Sequence, residues 1–137
     1  MGAIIPESKE NEIIKLLRKD DARNLQEFIE INQIPPETLL TNHKRTLLQL
    51  SCYFESARCL SKLIEMNYDY NQTESITGDT PLFISAKFNN LEMVKILLAN
   101  DNCKKLVKNF SNLNEFDIYG KKGEGYNSNS NLMELSK

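Results

Sequence analysis

A shift of the chain against itself by 34 residues lays Thr46–Glu65, TLLQLSCYFESARCLSKLIE, on Thr80–Ala99, TPLFISAKFNNLEMVKILLA. Thr46 meets Thr80, Leu48 meets Leu82, Leu60 meets Val94, Leu63 meets Leu97 and Ile64 meets Leu98. No other feature constrains the fold as much, because periods of this length build stacked arrays in which each unit buries its apolar side on its neighbours. One unit cannot stand alone. The apolar run Leu82–Phe88 spans about two helical turns, and an isolated helix shorter than roughly 12–15 residues is marginal in water.

The residue types inside the unit predict helix, turn, helix. Thr80 is placed to cap the free amides of a first helix, with Pro81 in its first turn, where a missing N–H costs nothing. Asn89 and Asn90 follow, and asparagine accepts the left-handed conformation that ends a helix better than other non-glycine residues. From Leu91 onward, Val94, Leu97 and Leu98 recur at helical spacing and give the second helix one apolar stripe. Upstream, Ile13, Ile14, Leu16 and Leu17, a polar break, then Leu25, Phe28 and Ile29 repeat the pattern with more charge outside, which suits a terminal capping unit.

The pattern GDTPLFISA, two turn residues, then LEMVKILL resembles the ankyrin repeat, whose units of roughly 33 residues open on Gly-x-Thr-Pro-Leu-His-x-Ala. Phe83 stands in place of the histidine, and Ser85 and Asn89 in place of alanine and glycine. The first copy departs further, with Leu47 for proline, Gln49 for histidine and Glu55 for glycine, yet Met66–Asn71 falls where the family has Gly-Ala-Asp-Val-Asn. The resemblance is clearest over 42–100 and implies an all-α helix-turn-helix solenoid with short hairpin-like fingers. The expected organisation is a tail at 1–9, a degenerate N-terminal capping repeat at 10–41, repeats at 42–75 and 76–116, the second with an extension, and an incomplete repeat or flexible tail at 117–137. Within that last stretch, Asp117, Tyr119 and Gly120 resemble a finger, and the segment from Ser130 resembles the opening of a first helix.

Composition narrows the function. A net charge of -2 argues against a general phosphate-neutralising surface, so nucleic acid is not the expected partner. Cys52, Cys59 and Cys103 lack the close spacing of metal and redox motifs and read as reduced core thiols in a cytoplasmic protein. His43 is the sole histidine, which leaves a metal site without its usual partners. Gly120–Gly125, GKKGEG, matches neither the dinucleotide fingerprint nor the P-loop. No apolar run approaches the ~18 residues of a membrane span, and Gly2 as an acylation site lacks Ser or Thr at position 6, which is Pro6. No convergent acid, base, nucleophile or metal set is found, so neither catalysis nor a cofactor is expected.

In proteins this chain resembles, fingers and first helices line up as a partner-binding surface. Carried over, that surface contains Asn42, His43 and Arg45 in one finger, with Tyr53 and Phe54 ending the helix that follows. The next unit contributes Ile76, Thr77 and Asp79, then Lys87 and Phe88, and a third finger would add Ile118, Tyr119 and Lys121. Large apolar groups in such a row fit a protein partner better than a small molecule. The resemblance implies a non-catalytic interaction module, either a small structural subunit of a multiprotein complex or an inhibitor of a partner enzyme.

Overall fold

The computed structural model describes residues 5–40 and 43–121. Gly2, Asn42, most of the GKKGEG stretch and the segment from Ser130 lie outside the described residues. Among those described there are seven helices and no strand, with one isolated antiparallel bridge between Leu40 and Arg45. The chain divides into two compact units, Met1–Asp69 and Tyr70–Lys137.

The first unit carries α1 (Glu7–Arg18), α2 (Ala22–Asn32), α3 (Leu47–Tyr53) and α4 (Ala57–Glu65). Helix α1 packs on α2, α3 on α4, and α2 on α4. Ile13, Leu17, Leu25, Leu48, Leu60 and Leu63 are completely buried between them. The first helix opens at Glu7, inside what the sequence marked as a tail, because Pro6 supplies the fixed φ and its carbonyl accepts from the amides of Lys9 and Glu10. Helix α3 begins with a complete capping box: Gln49 N donates to Thr46 Oγ1 at 3.2 Å, and Thr46 N donates to Gln49 Oε1 at 2.9 Å. Gln49, which stands where the resembled pattern has histidine, thus supplies the second half of the cap.

The second unit carries α5 (Pro81–Lys87), α6 (Leu91–Leu98) and α7 (Glu115–Lys121), with α5 packed on both α6 and α7. Thr80 Oγ1 caps the amide of Phe83, and Asn90 Oδ1 caps that of Met93, so both helices start where the sequence placed them. Val94 and Leu97 are completely buried, while Leu98 is half-buried.

The finger expected at Asp117–Gly120 is instead helical, as α7. Asn114 Oδ1 accepts from the amides of Phe116 and Asp117, and Asp117 Oδ2 accepts from that of Asn114. This reciprocal cap is written in the sequence as Asn-x-x-Asp, a signal that outweighs the likeness of Asp117, Tyr119 and Gly120 to a finger.

Five helix ends close in the same way. Asp20, Gln33, Glu55, Asn67 and Asn89 all have positive φ, between 50° and 68°. In each case the next residue's amide reaches back five positions, as in Asp21 N to Leu16 O at 3.0 Å, Ser56 N to Ser51 O at 2.8 Å and Asn90 N to Ser85 O at 3.0 Å. This is the Schellman closure, in which glycine is the usual left-handed residue. Here none is glycine; asparagine at 67 and 89 accepts the conformation most readily, and Gln33 and Glu55 carry the greater strain. Gln33→Gly, at an exposed position, is expected to raise the unfolding free energy by about 0.5–1 kcal/mol in urea titrations.

Candidate partner-binding surfaces

Each unit forms one finger by the same backbone route. In the first, Leu40 N donates to Arg45 O at 2.9 Å and Lys44 N to Leu40 O at 2.7 Å, with Lys44 left-handed at φ 54°. In the second, Glu74 N donates to Asp79 O and Gly78 N to Glu74 O, both at 3.0 Å, with Gly78 at φ 76°. The side chains then diverge.

The first finger is basic, with His43, Lys44 and Arg45 in succession. The Arg45 guanidinium lies 4.1 Å from the centroid of Tyr53, and that of Arg18 lies 5.2 Å from the centroid of Phe54. Two neighbouring aromatic rings at the end of α3, both half-buried, thus each carry a cation over one face. Such a contact contributes about 0.5–1 kcal/mol at exposed sites and holds ring and guanidinium in fixed positions. The structure places Arg45 on Tyr53, beside Phe54, and it adds Arg18, which the sequence reading did not single out. His43 is half-buried in the turn.

The second finger is largely covered by its own chain. Asp79, expected to face a partner, is 3% exposed and accepts from Asn109 Nδ2 at 2.8 Å. The Thr77 amide and hydroxyl both donate to the buried Glu74 carboxylate, at 2.7 and 2.6 Å, and Thr77 O accepts from Phe110 N. These two side chains are spent within the fold. Ile76 at 57% exposure, Phe88 at 37% and the exposed Lys87 remain outside. Ile118 is half-buried on α7, and Tyr119 and Lys121 also belong to that helix rather than to a finger.

The remaining chemistry is quiet. All three cysteines are buried, and none forms a disulfide. Burial, with the charge of Asp20 next in importance, pushes the Cys59 thiol up to about 12, and burial with Glu115 pushes Cys103 up to about 11. Thiols held neutral in this way are poor nucleophiles. Among the described residues no group of three or more His, Cys, Asp or Glu could hold a metal ion, and no helix is long and apolar enough to cross a membrane.

Glu115, on α7 of the second unit, is a buried carboxyl at 2% exposure, and one of its oxygens accepts from Leu106 N. Burial raises its pKa, with the amides of Leu106 and of Glu115 itself pulling the other way, Asp117 adding to the rise and Lys105 opposing it. The folded state therefore binds this proton more tightly than the unfolded chain. The stability it contributes is full below the ordinary value of 4.5 and is lost as pH rises through the elevated folded value. Glu115→Gln is expected to flatten that part of the stability profile and raise the urea midpoint near neutral pH; an unchanged profile would contradict it.

The family profile described as ankyrin repeats, in three copies, matches residues 7–109. No curated protein matches the chain.

Proposed function

The chain belongs to the ankyrin-repeat family, and from that premise we propose that it is a non-catalytic module that holds a protein partner on its finger and first-helix side chains. Ankyrin repeats generally mediate protein–protein interaction, so the family supports the class of function while leaving the partner open. The observation that carries the reading is the paired Arg45–Tyr53 and Arg18–Phe54 stacks. Arginine and aromatic residues dominate the energetic centres of protein interfaces, and side chains already fixed by stacking lose little entropy when a partner docks. A place as a small structural subunit of a larger complex suits these preformed surfaces. Three buried cysteines outside any disulfide support a reducing, cytoplasmic setting.

The test is affinity purification of the tagged protein with mass spectrometry, beside a Tyr53→Ala, Phe54→Ala, Phe88→Ala variant whose helicity is checked by circular dichroism. Loss of a stoichiometric partner set from the folded variant, with binding weakened by at least roughly tenfold, is the expected result. Partners retained unchanged would overturn the assignment of this surface.

A further inference from the structure

The left-handed closures that precede α2 and α4, Asp20 and Glu55, bring the two helix pairs of the first unit into register. Glu12 then falls on Leu47, Leu16 on Ser51, Asn24 on Cys59 and Phe28 on Leu63. In the second pair all four of these positions are completely buried, and α2 is packed on α4. They are the side on which a stacked repeat receives its neighbour. In the first pair the same four positions, with Glu27 and Ile31, line a groove of about 230 Å³ along α1 and α2.

The groove is apolar in its depth and acidic on both sides. Leu16 is buried and Phe28 half-buried, while Ile31 is 72% exposed. Glu12 stands on the α1 side and Glu27 on the α2 side, and no cation is among the lining residues. Lys9, Lys15 and Arg23 lie one helical turn from these carboxylates on the same helices, yet among the described residues none of the three is ion-paired with either. Asn24, where the second pair has buried Cys59, is satisfied within the chain, its Nδ2 donating to Asp21 Oδ2 at 2.8 Å. That position needs no cover. Phe28 and Ile31, one and two turns further along α2, still present apolar surface beside the two acids.

We propose that this groove, a second surface beyond the fingers and resting on the protein-binding reading above, receives an amphipathic helix of a protein partner whose apolar stripe is flanked by lysine or arginine. The form of the occupant follows from the repeat, since a helix is what packs beside the equivalent positions of α4. Its charge follows from the lining, which offers two carboxylates and no cation. Apolar side chains at helical spacing cover Phe28 and Ile31, and cations on either flank reach Glu12 and Glu27. The phosphates of a nucleic acid or an anionic bilayer meet like charge here. A second copy offering the same face sets carboxylates against carboxylates, because a two-fold interface repeats one patch on both sides.

The test uses the whole chain and fluorescence anisotropy with a labelled peptide of about 18 residues, long enough to be helical, carrying leucine at helical spacing with lysine on both flanks. Counterparts carry glutamine or glutamate in place of lysine. The lysine peptide is expected to bind at least about tenfold more tightly than either, and less tightly as salt rises. Glu12→Gln with Glu27→Gln is expected to cost about tenfold in affinity at an unchanged melting temperature, and Glu12→Lys with Glu27→Lys to turn the preference towards the glutamate peptide. Ile31→Ala separates binding from folding: the side chain is largely exposed and alanine is the better helix former, so the melting temperature holds while affinity falls about fivefold or more. Equal binding of the lysine and glutamate peptides, no saturable binding of either, or wild-type affinity in the glutamine and alanine variants would overturn the proposal. Sedimentation of the chain alone is expected to be the same for wild type and Ile31→Ala; a dimer that the alanine dissociates would give the groove to a second copy instead. If the Tyr53, Phe54 and Phe88 variant loses its cellular partners while the peptides fail to bind, the groove falls and the protein-binding reading stands.

Discussion

Gly78→Val is expected to lower the unfolding free energy by about 3 kcal/mol, read as a lowered urea midpoint with an unchanged slope. Two independent terms combine. The residue sits at φ 76°, where a side chain costs roughly 1–2 kcal/mol and a β-branched one more. A Cβ there would also meet the Phe110 ring at 2.7 and 2.8 Å, and overpacking of this kind costs roughly 1–3 kcal/mol. The two are separable. Phe110→Ala introduced alongside Gly78→Val should recover the steric part and leave the backbone part, so the pair will be non-additive, whereas additive losses would show that the ring does not rest on the finger.

Asp20→Ala is expected to cost a similar amount, about 3 kcal/mol, through a different route. Asp20 closes α1 in the left-handed region and reaches across to α4, where its carboxylate accepts from Arg58 N at 3.1 Å and Cys59 N at 2.9 Å. It does so because Ser56, at the start of α4, makes no side-chain bond to that helix's amides; its hydroxyl donates to Leu17 O at the end of α1. Each helix end thus satisfies the other. Alanine would remove two charge-assisted bonds at a helix N-terminus and place a Cβ-bearing residue without side-chain compensation at φ 54°. Asp20→Asn, which tolerates the conformation and keeps an acceptor, should lose only about 1 kcal/mol. Equal losses for the two variants would show that charge alone matters; no loss for alanine would remove the cap.

Much of the helical pattern was legible in one dimension. Thr46 and Thr80 mark two helix starts, the pair Asn89–Asn90 marks a stop and a start, and the 34-residue shift aligns the two repeats around them. These are local signals, fixed by capping chemistry and by the spacing of apolar residues. The finger misplaced at Asp117–Gly120 came from the likeness of Asp117, Tyr119 and Gly120 to the resembled pattern, where the Asn114 and Asp117 side chains write a helix cap.

The proposed surface was legible by half. Arg45 and Tyr53 were both marked, yet their stacking depends on a guanidinium crossing from finger to helix end, and Arg18 belongs to the same set only because α1 ends beside Phe54. Asp79 was marked for a partner by its position in the resembled finger; Asn109, thirty positions later, engages it within the fold.

The sequence alone determined that this chain forms helix-turn-helix repeats, where most of them begin and which residues face inward, because caps and apolar period act over a few residues and leave their mark in order along the chain. Only the tertiary structure decided that one finger stays basic with its arginine stacked, while Asn109 and Phe110, from the connection before α7, cover the other. Contacts that close over such separations are selected by the three-dimensional fit of particular side chains, and no local pattern encodes them.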